Sequence, residues 1–280
     1  MHWWLLVSGK DHADTVIYND VYQESVDMKK VFWVARQGRV ALVCVLISLL
    51  IPGCGKDLSS ETAQVFYFRE QQEKGTAPYV SRMIVTGEFV RLDEGKASDD
   101  FLLYDRKKQV VISVTNDSES YYQFNRFDSY PDPTRKPAMK TVDNDAGNMP
   151  SVAGIQPVYK TYYADNIRCR DVVSLPGFKP DAVAAMKGLL SIMADQHRAT
   201  LGSTPKEMQG SCMRANFIYS PVVFLDEGFP LREWDYRGYR RMLADFREES
   251  VDPGLFVVPE SYERLTLPMA ASVVPGKESQ

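Results

Sequence analysis

The sequence predicts an α+β fold: a curved antiparallel sheet with one main helix packed on it. Three observations point there. Short runs rich in β-branched and aromatic residues recur from Gln64 onward, with turns about every ten residues, too close together for parallel crossovers. One stretch, Asp181 to Arg198, carries a clear helical period. The composition is that of a globular chain, 280 residues with 44% hydrophobic and 25% charged, enough to bury a sizeable core.

The first strands are expected at Val65 to Phe68, Tyr79 to Val85, Glu88 to Leu92, Phe101 to Tyr104, Val110 to Thr115 and Tyr121 to Phe124. Turn chemistry separates them: Gly87, Glu94-Gly95, Asp105 to Lys108 and Asn116-Asp117-Ser118. Residues 126–152, with Pro131, Pro133, Pro137 and Pro150, read as a long surface loop. Its Asp143-Asn144-Asp145 lacks the frame of a Ca²⁺ loop ending in a bidentate Glu, so it reads as solvated. Strand signals return at Val158 to Ala164 and Ile167 to Val173. Pro180 and Asp181 suit a helix start, Gly202 lies beyond its end, and Val183, Met186, Leu190 and Met193 form its apolar stripe over 181–198. Ala215 to Leu225 and Phe229 to Trp234 read as further strands, with Pro221 at an edge or bulge. Tyr239 to Glu249 fits a helix aligning Tyr239, Met242, Leu243 and Phe246, or a strand burying Met242, Ala244 and Phe246; the strand is preferred. Residues 64–267 form one domain and 268–280 a flexible tail.

Val40 to Ile51 is an apolar run of about a dozen residues, short of the roughly 20 that span a bilayer. Lys29, Lys30, Arg36 and Arg39 precede it and Gly53-Cys54 closes it, the order of an export signal. Ile51-Pro52-Gly53-Cys54 resembles the lipobox of bacterial lipoproteins. The resemblance implies cleavage after Gly53 and lipidation of Cys54, so that 28–53 is a signal peptide and 54–63 a tether. Asp11, Asp14, Asp20 and Glu24 do not suit a signal's first region; residues 1–27 therefore read as an upstream extension, with translation starting at Met28. Gly55, where the resemblance places Asp for inner-membrane retention, implies the periplasmic face of the outer membrane, the inner membrane being the alternative.

Two further resemblances concern the domain itself. Phe256-Val257-Val258-Pro259-Glu260-Ser261-Tyr262, after a last long strand, is similar to the closing segment of bacterial envelope domains that folds back on the sheet. An antiparallel sheet with a helix on one face resembles the half-barrels of periplasmic lipoprotein carriers. The aromatics on these strands read as sheet packing or, alternatively, as the lining of an apolar groove for a lipid or acyl chain partly covered by the helix, with Phe66, Phe101, Tyr121, Tyr162, Met186 and Met193 as the candidate lining residues. The expected partners are the membrane through the anchor, and a lipid or envelope protein.

Cysteine usage agrees with export. Cys44 lies in the apolar run, Cys54 is the lipidation candidate, and Cys169 and Cys212 remain as a disulfide pair that would tie the strand before the helix to the segment after it. The net charge is −4, and residues 1–53 hold five basic and five acidic residues, so their removal leaves it unchanged. No basic stripe with interleaved aromatics marks a nucleic-acid surface. Of three histidines, only His197 follows Cys54, which leaves too few for a histidine metal site, and no Gly-x-Ser-x-Gly elbow or phosphate-binding glycine loop is present. Asp99-Asp100, Asp226-Glu227 and Glu248-Glu249 are the remaining carboxylate pairs, but neighbours on a strand point to opposite faces. The expectation is a non-enzymatic, anchored binding protein without a cofactor, metal or catalytic residue. An anchored envelope hydrolase using carboxylates and a structural docking module are the alternatives.

Overall fold

A computed structural model describes residues 61–126 and 135–266, all in one compact unit. The expected upstream extension, signal peptide, lipidation site at Gly53-Cys54, most of the expected tether and the expected tail at 268–280 lie outside those residues. Among the described residues the fold is α+β: one open twelve-stranded sheet with one main helix. A first meander runs through β1 (Glu61–Gln71), β2 (Tyr79–Val85), β3 (Phe89–Asp93), β4 (Phe101–Asp105), β5 (Val110–Thr115) and β6 (Ser120–Asn125). A second comprises β7 (Met139–Asn144), β8 (Val158–Ala164), β9 (Ile167–Leu175), β10 (Phe229–Asp235) and β11 (Arg240–Val251). The two halves join where β11 pairs antiparallel with β1, from Glu61 opposite Val251 to Gln71 opposite Arg240. The strand order is β12-β6-β5-β4-β3-β2-β1-β11-β10-β9-β8-β7, where β12 (Glu263–Leu265) runs parallel to β6.

Period two decides what each face holds. On β1, Phe66, Phe68 and Glu70 point to one face, while Ala63, Val65, Tyr67, Arg69 and Gln71 point to the other. The first face is covered by α1 (Pro180–Thr200), which starts with Pro180 at its first turn. A bidentate pair from Arg106 to Asp181, at 2.6 and 3.0 Å, ties the helix start to the β4–β5 turn. The helix buries Ala182, Ala185, Met186, Leu189, Ile192 and Met193. The expected stripe holds at Met186 and Met193 and is corrected at Val183 and Leu190, which are only half-buried, because the buried arc includes Ala182 and Ala185, small residues that allow a close approach to the sheet.

Gly188 shows how close that approach is. A Cβ built there would meet the Tyr104 ring at 2.9 and 3.0 Å. Gly188→Ala should therefore lower stability by about 1–3 kcal/mol through overpacking, although the same change in a free helix is favourable by about 1 kcal/mol. A urea midpoint that rises in the variant would contradict this contact.

The opposite face is covered, over the first meander, by the segment after β11. Phe256 packs on Phe89 with ring centroids 5.4 Å apart, Arg91 donates to the Leu255 carbonyl at 2.6 Å, and the Tyr262 hydroxyl donates to Asn116 at 2.8 Å. The closing segment does fold back on the sheet, and Ala63, Val65, Ile84, Phe101, Leu103 and Val114 are buried beneath it.

Three other expectations are corrected. Residues 215–225 are not a strand: α2 (Ser211–Arg214) runs into a π turn at Ala215–Tyr219, and a 3-10 turn follows at Val223–Leu225. Cys212, Ala215 and Asn216 are buried at helical spacing, and Pro221 falls in a turn. Within 126–152, Met139–Asn144 forms β7, a largely exposed edge strand with no apolar alternation to announce it. Residues 240–251 do form a strand, but Met242 and Ala244 are exposed. Ala244 is left unpaired at a bulge where Asp245 faces Tyr67 and Leu243 faces Phe68, so the alternation changes phase there.

Candidate functional site

The six residues expected to line one groove do not share one. Phe66 is buried on the helix side among Phe229, Phe246 and Phe68, with ring centroids at 4.6, 4.9 and 6.5 Å. Phe101 lies on the other face under the Arg91 guanidinium at 3.7 Å, and Tyr121 packs in that same cluster. Tyr162 is buried on β8, where burial and then the charge of Glu227 push its hydroxyl up to about 12. Met186 and Met193 are both buried on α1, and of the six only Met186 borders the cavity under that helix. That cavity holds about 80 Å³, well below the roughly 300 Å³ at which small-molecule sites begin. The helix-side face is filled by its own side chains.

The disulfide is in place. Cys169 on β9 and Cys212 in α2 are bonded with Cα atoms 5.0 Å apart, packed against Ala164 and Ala215. It closes the segment that contains α1, so the helix is bracketed between two points fixed to each other.

The carboxylate pairs noted in the sequence have separate structural partners. Asp99 accepts from the Lys96 amide and Asp100 from the Asn116 amide; Asp226 pairs with Lys187, Glu227 with Lys160 and Glu248 with Lys179. A different pair converges. Glu70 on β1, Arg241 on β11 and Glu233 on β10 lie side by side across three strands, each under a tenth exposed. Arg241 is 3.5 Å from both carboxylates. Glu70 also accepts from the Ser81, Tyr79 and Tyr239 hydroxyls, the last two at 3.2 and 3.1 Å. Burial alone would raise the Glu70 pKa, but the Arg241 charge and the hydroxyls of Ser81 and Tyr239 outweigh it and hold it low. Burial, reinforced by the Glu70 charge, pushes the Tyr239 hydroxyl well above its ordinary value.

Chemically this cluster is a charge lock. Glu70 is an acceptor with its oxygens occupied, so it has no proton to donate as a general acid. Sequence reasoning missed it, although a signal existed: Glu70 follows Phe66 and Phe68 at period two, which puts a carboxylate on a core-facing position. Among the described residues no three His, Cys, Asp or Glu side chains gather as a metal site, and no helix is long and apolar enough to cross a membrane.

His197, in the last turn of α1, packs on Phe217 at 5.5 Å. Burial, and then the nearby Arg237 charge, lower its pKa from 6.5 to about 4. Its folded pKa lies below the unfolded one, so the stability it contributes is complete above about pH 6.5 and declines as pH falls towards 4. The loss is expected to reach at most about 3 kcal/mol over that window. His197→Gln should flatten the pH dependence of the urea midpoint between pH 6.5 and 4; an unchanged slope would remove His197 as its cause.

No protein-family model matches the chain, and no curated protein matches it. Among solved structures, one described as PNGF-II in a C2 space group is similar over 72% of this chain and 30% of its own, at 10% identity and a TM-score of 0.37. The chain thus spans about a third of that protein's length, and a likeness this weak carries no argument about function.

Proposed function

We propose that the chain is an exported lipoprotein of a bacterial envelope, anchored through Cys54, whose half-barrel-like domain binds an envelope component without catalysing a reaction. The observation that carries this reading is the Cys169–Cys212 bond. A structural disulfide belongs to an oxidising space outside the cytosol, where the charged, apolar and lipobox order of residues 29–54 would deliver the chain. The signal predicts the place from one end of the sequence and the disulfide fits that place from the other.

Binding is favoured over hydrolysis by what the carboxylates do. Those that converge, Glu70 and Glu233, are buried on Arg241, and Asp99, Asp100, Asp226, Glu227 and Glu248 are committed to lysines and backbone amides. Gly55 after the lipidation site favours the outer membrane. Two or more acyl chains, each contributing about 0.8 kcal/mol per buried CH₂, make release slow. Cys54→Ser is expected to abolish palmitate incorporation and leave the protein soluble or signal-retained. Fractionation with metabolic palmitate labelling checks this, and normal labelling of the variant would defeat the assignment.

A further inference from the structure

The face of the sheet away from α1 is covered by the closing segment only over the first meander. Among the described residues nothing covers it at the β1–β11–β10 centre. Register places Arg69, Met242 and Arg232 in one row across those three strands, and Gln71, Arg240 and Trp234 in the next. Arg69, Arg232, Arg240 and Met242 are exposed, and none of the three arginines makes an ion pair among the described residues. Of the carboxylates on the same strands, Glu70 and Glu233 are paired with Arg241, Asp245, opposite Tyr67 on the arginines' own face, is paired with Arg247 at 2.8 Å, and Glu61 and Glu249 stand at the far end of the β1–β11 pairing. Asp171, beside Trp234 on β9, is matched by Arg168 at 2.6 Å and by the Thr161 hydroxyl. A chain of net charge −4 thus concentrates three unmatched guanidiniums around a groove of about 470 Å³, whose lining also includes the mutually paired Glu70, Arg241 and Glu233, a volume within the range of ligand sites.

We propose that this groove binds an acidic polysaccharide, one carrying a carboxylate on successive sugar rings. Neighbouring strands are about 4.8 Å apart, so Arg69 and Arg232 stand roughly 10 Å apart with Arg240 on the diagonal between them. That spread suits charges repeated along a polymer rather than one compact anion. Each guanidinium presents the planar fork that takes a carboxylate through two hydrogen bonds. Trp234, whose ring lies 5.7 Å from that of Tyr159, supplies the flat apolar surface on which a sugar ring stacks. A concave, arginine-lined site is a poor match for a flat bilayer or an acyl chain. The inference deepens the binding reading by naming a ligand class and does not depend on the anchor.

Titration of the full chain in detergent with an oligogalacturonate tests it, with maltotriose as the neutral control and inorganic phosphate and phosphatidylglycerol vesicles as other anions. The expected result is saturable quenching of tryptophan fluorescence by the oligogalacturonate, absent in Trp234→Phe. Affinity should fall at least tenfold in Arg69→Ala, Arg232→Ala and Arg240→Ala, with unchanged melting temperatures, and maltotriose should give no response. No saturable binding, equal binding of maltotriose, insensitivity to the arginine substitutions, or binding confined to phosphate or vesicles overturns the proposal. Palmitate labelling of Cys54 reads the anchor separately, so either reading can fail alone.

Discussion

Arg241→Ala should destabilise the protein by about 3–5 kcal/mol, the cost of leaving buried carboxylates without their cation. Arg241 is 7% exposed, Glu70 1% and Glu233 6%, so its loss leaves two largely buried carboxylates facing each other where the two halves of the sheet meet. The guanidinium also lies 3.6 Å over the Phe68 ring, so truncation removes packing together with charge. Urea unfolding followed by circular dichroism measures the loss. A second variant separates the two effects: Arg241→Met combined with Glu70→Gln and Glu233→Gln removes all three charges and keeps most of the volume. It should recover most of the loss, since a buried ion cluster and an apolar replacement of similar shape often differ little. If the single substitution costs under about 1 kcal/mol, the range of an exposed pair, the lock is not closed. Acid has a related effect. The Glu70 pKa is lowered on folding, so its contribution is complete above about pH 4.5 and is lost as pH falls further.

What the sequence disclosed and withheld follows from which interactions are local. Tyr79–Val85, Val110–Thr115 and Val158–Ala164 coincide with their expected strands because alternation and turn residues lie within each segment. Asp165 and Asn166, both with positive φ, make the two-residue turn after β8 that those side chains favour. Residues 215–225 misled because a short apolar run suits a strand and a buried helical turn equally; the disulfide at Cys212 and the burial of Ala215 and Asn216 decided for the turn. The helix stripe was misjudged because Ala182 and Ala185 weigh little as hydrophobes yet permit close packing. The charge lock was out of reach for a different reason. Glu70 and Arg241 meet only through a pairing of the domain's first and last long strands, with a bulge at Ala244 setting its phase, and no local pattern encodes that register.

Removing the disulfide, by Cys169→Ala with Cys212→Ala or by a reductant, should cost roughly 4 kcal/mol for a loop of 43 residues in the chain-entropy account. The loop runs from β9 through α1 to α2. Within it the helix has no covalent tie of its own, and its hold on the sheet is the packing of Ala182, Ala185, Met186, Leu189, Ile192 and Met193, the close contact at Gly188 and the pair from Arg106 to Asp181. Loss of the bridge should therefore appear in hydrogen exchange over 180–219 before it appears in β1 to β5, whose pairing does not pass through the loop. Protection lost uniformly, or not at all, would mean that the bridge only restricts the unfolded chain, or that strand pairing alone seats the helix. The same variant bears on the compartment. If the chain folds outside the cytosol, export of the double-alanine form should yield less protein at 37 °C than the parent, whereas cytosolic expression of the two without residues 1–53 should narrow the difference, because neither then has the bond.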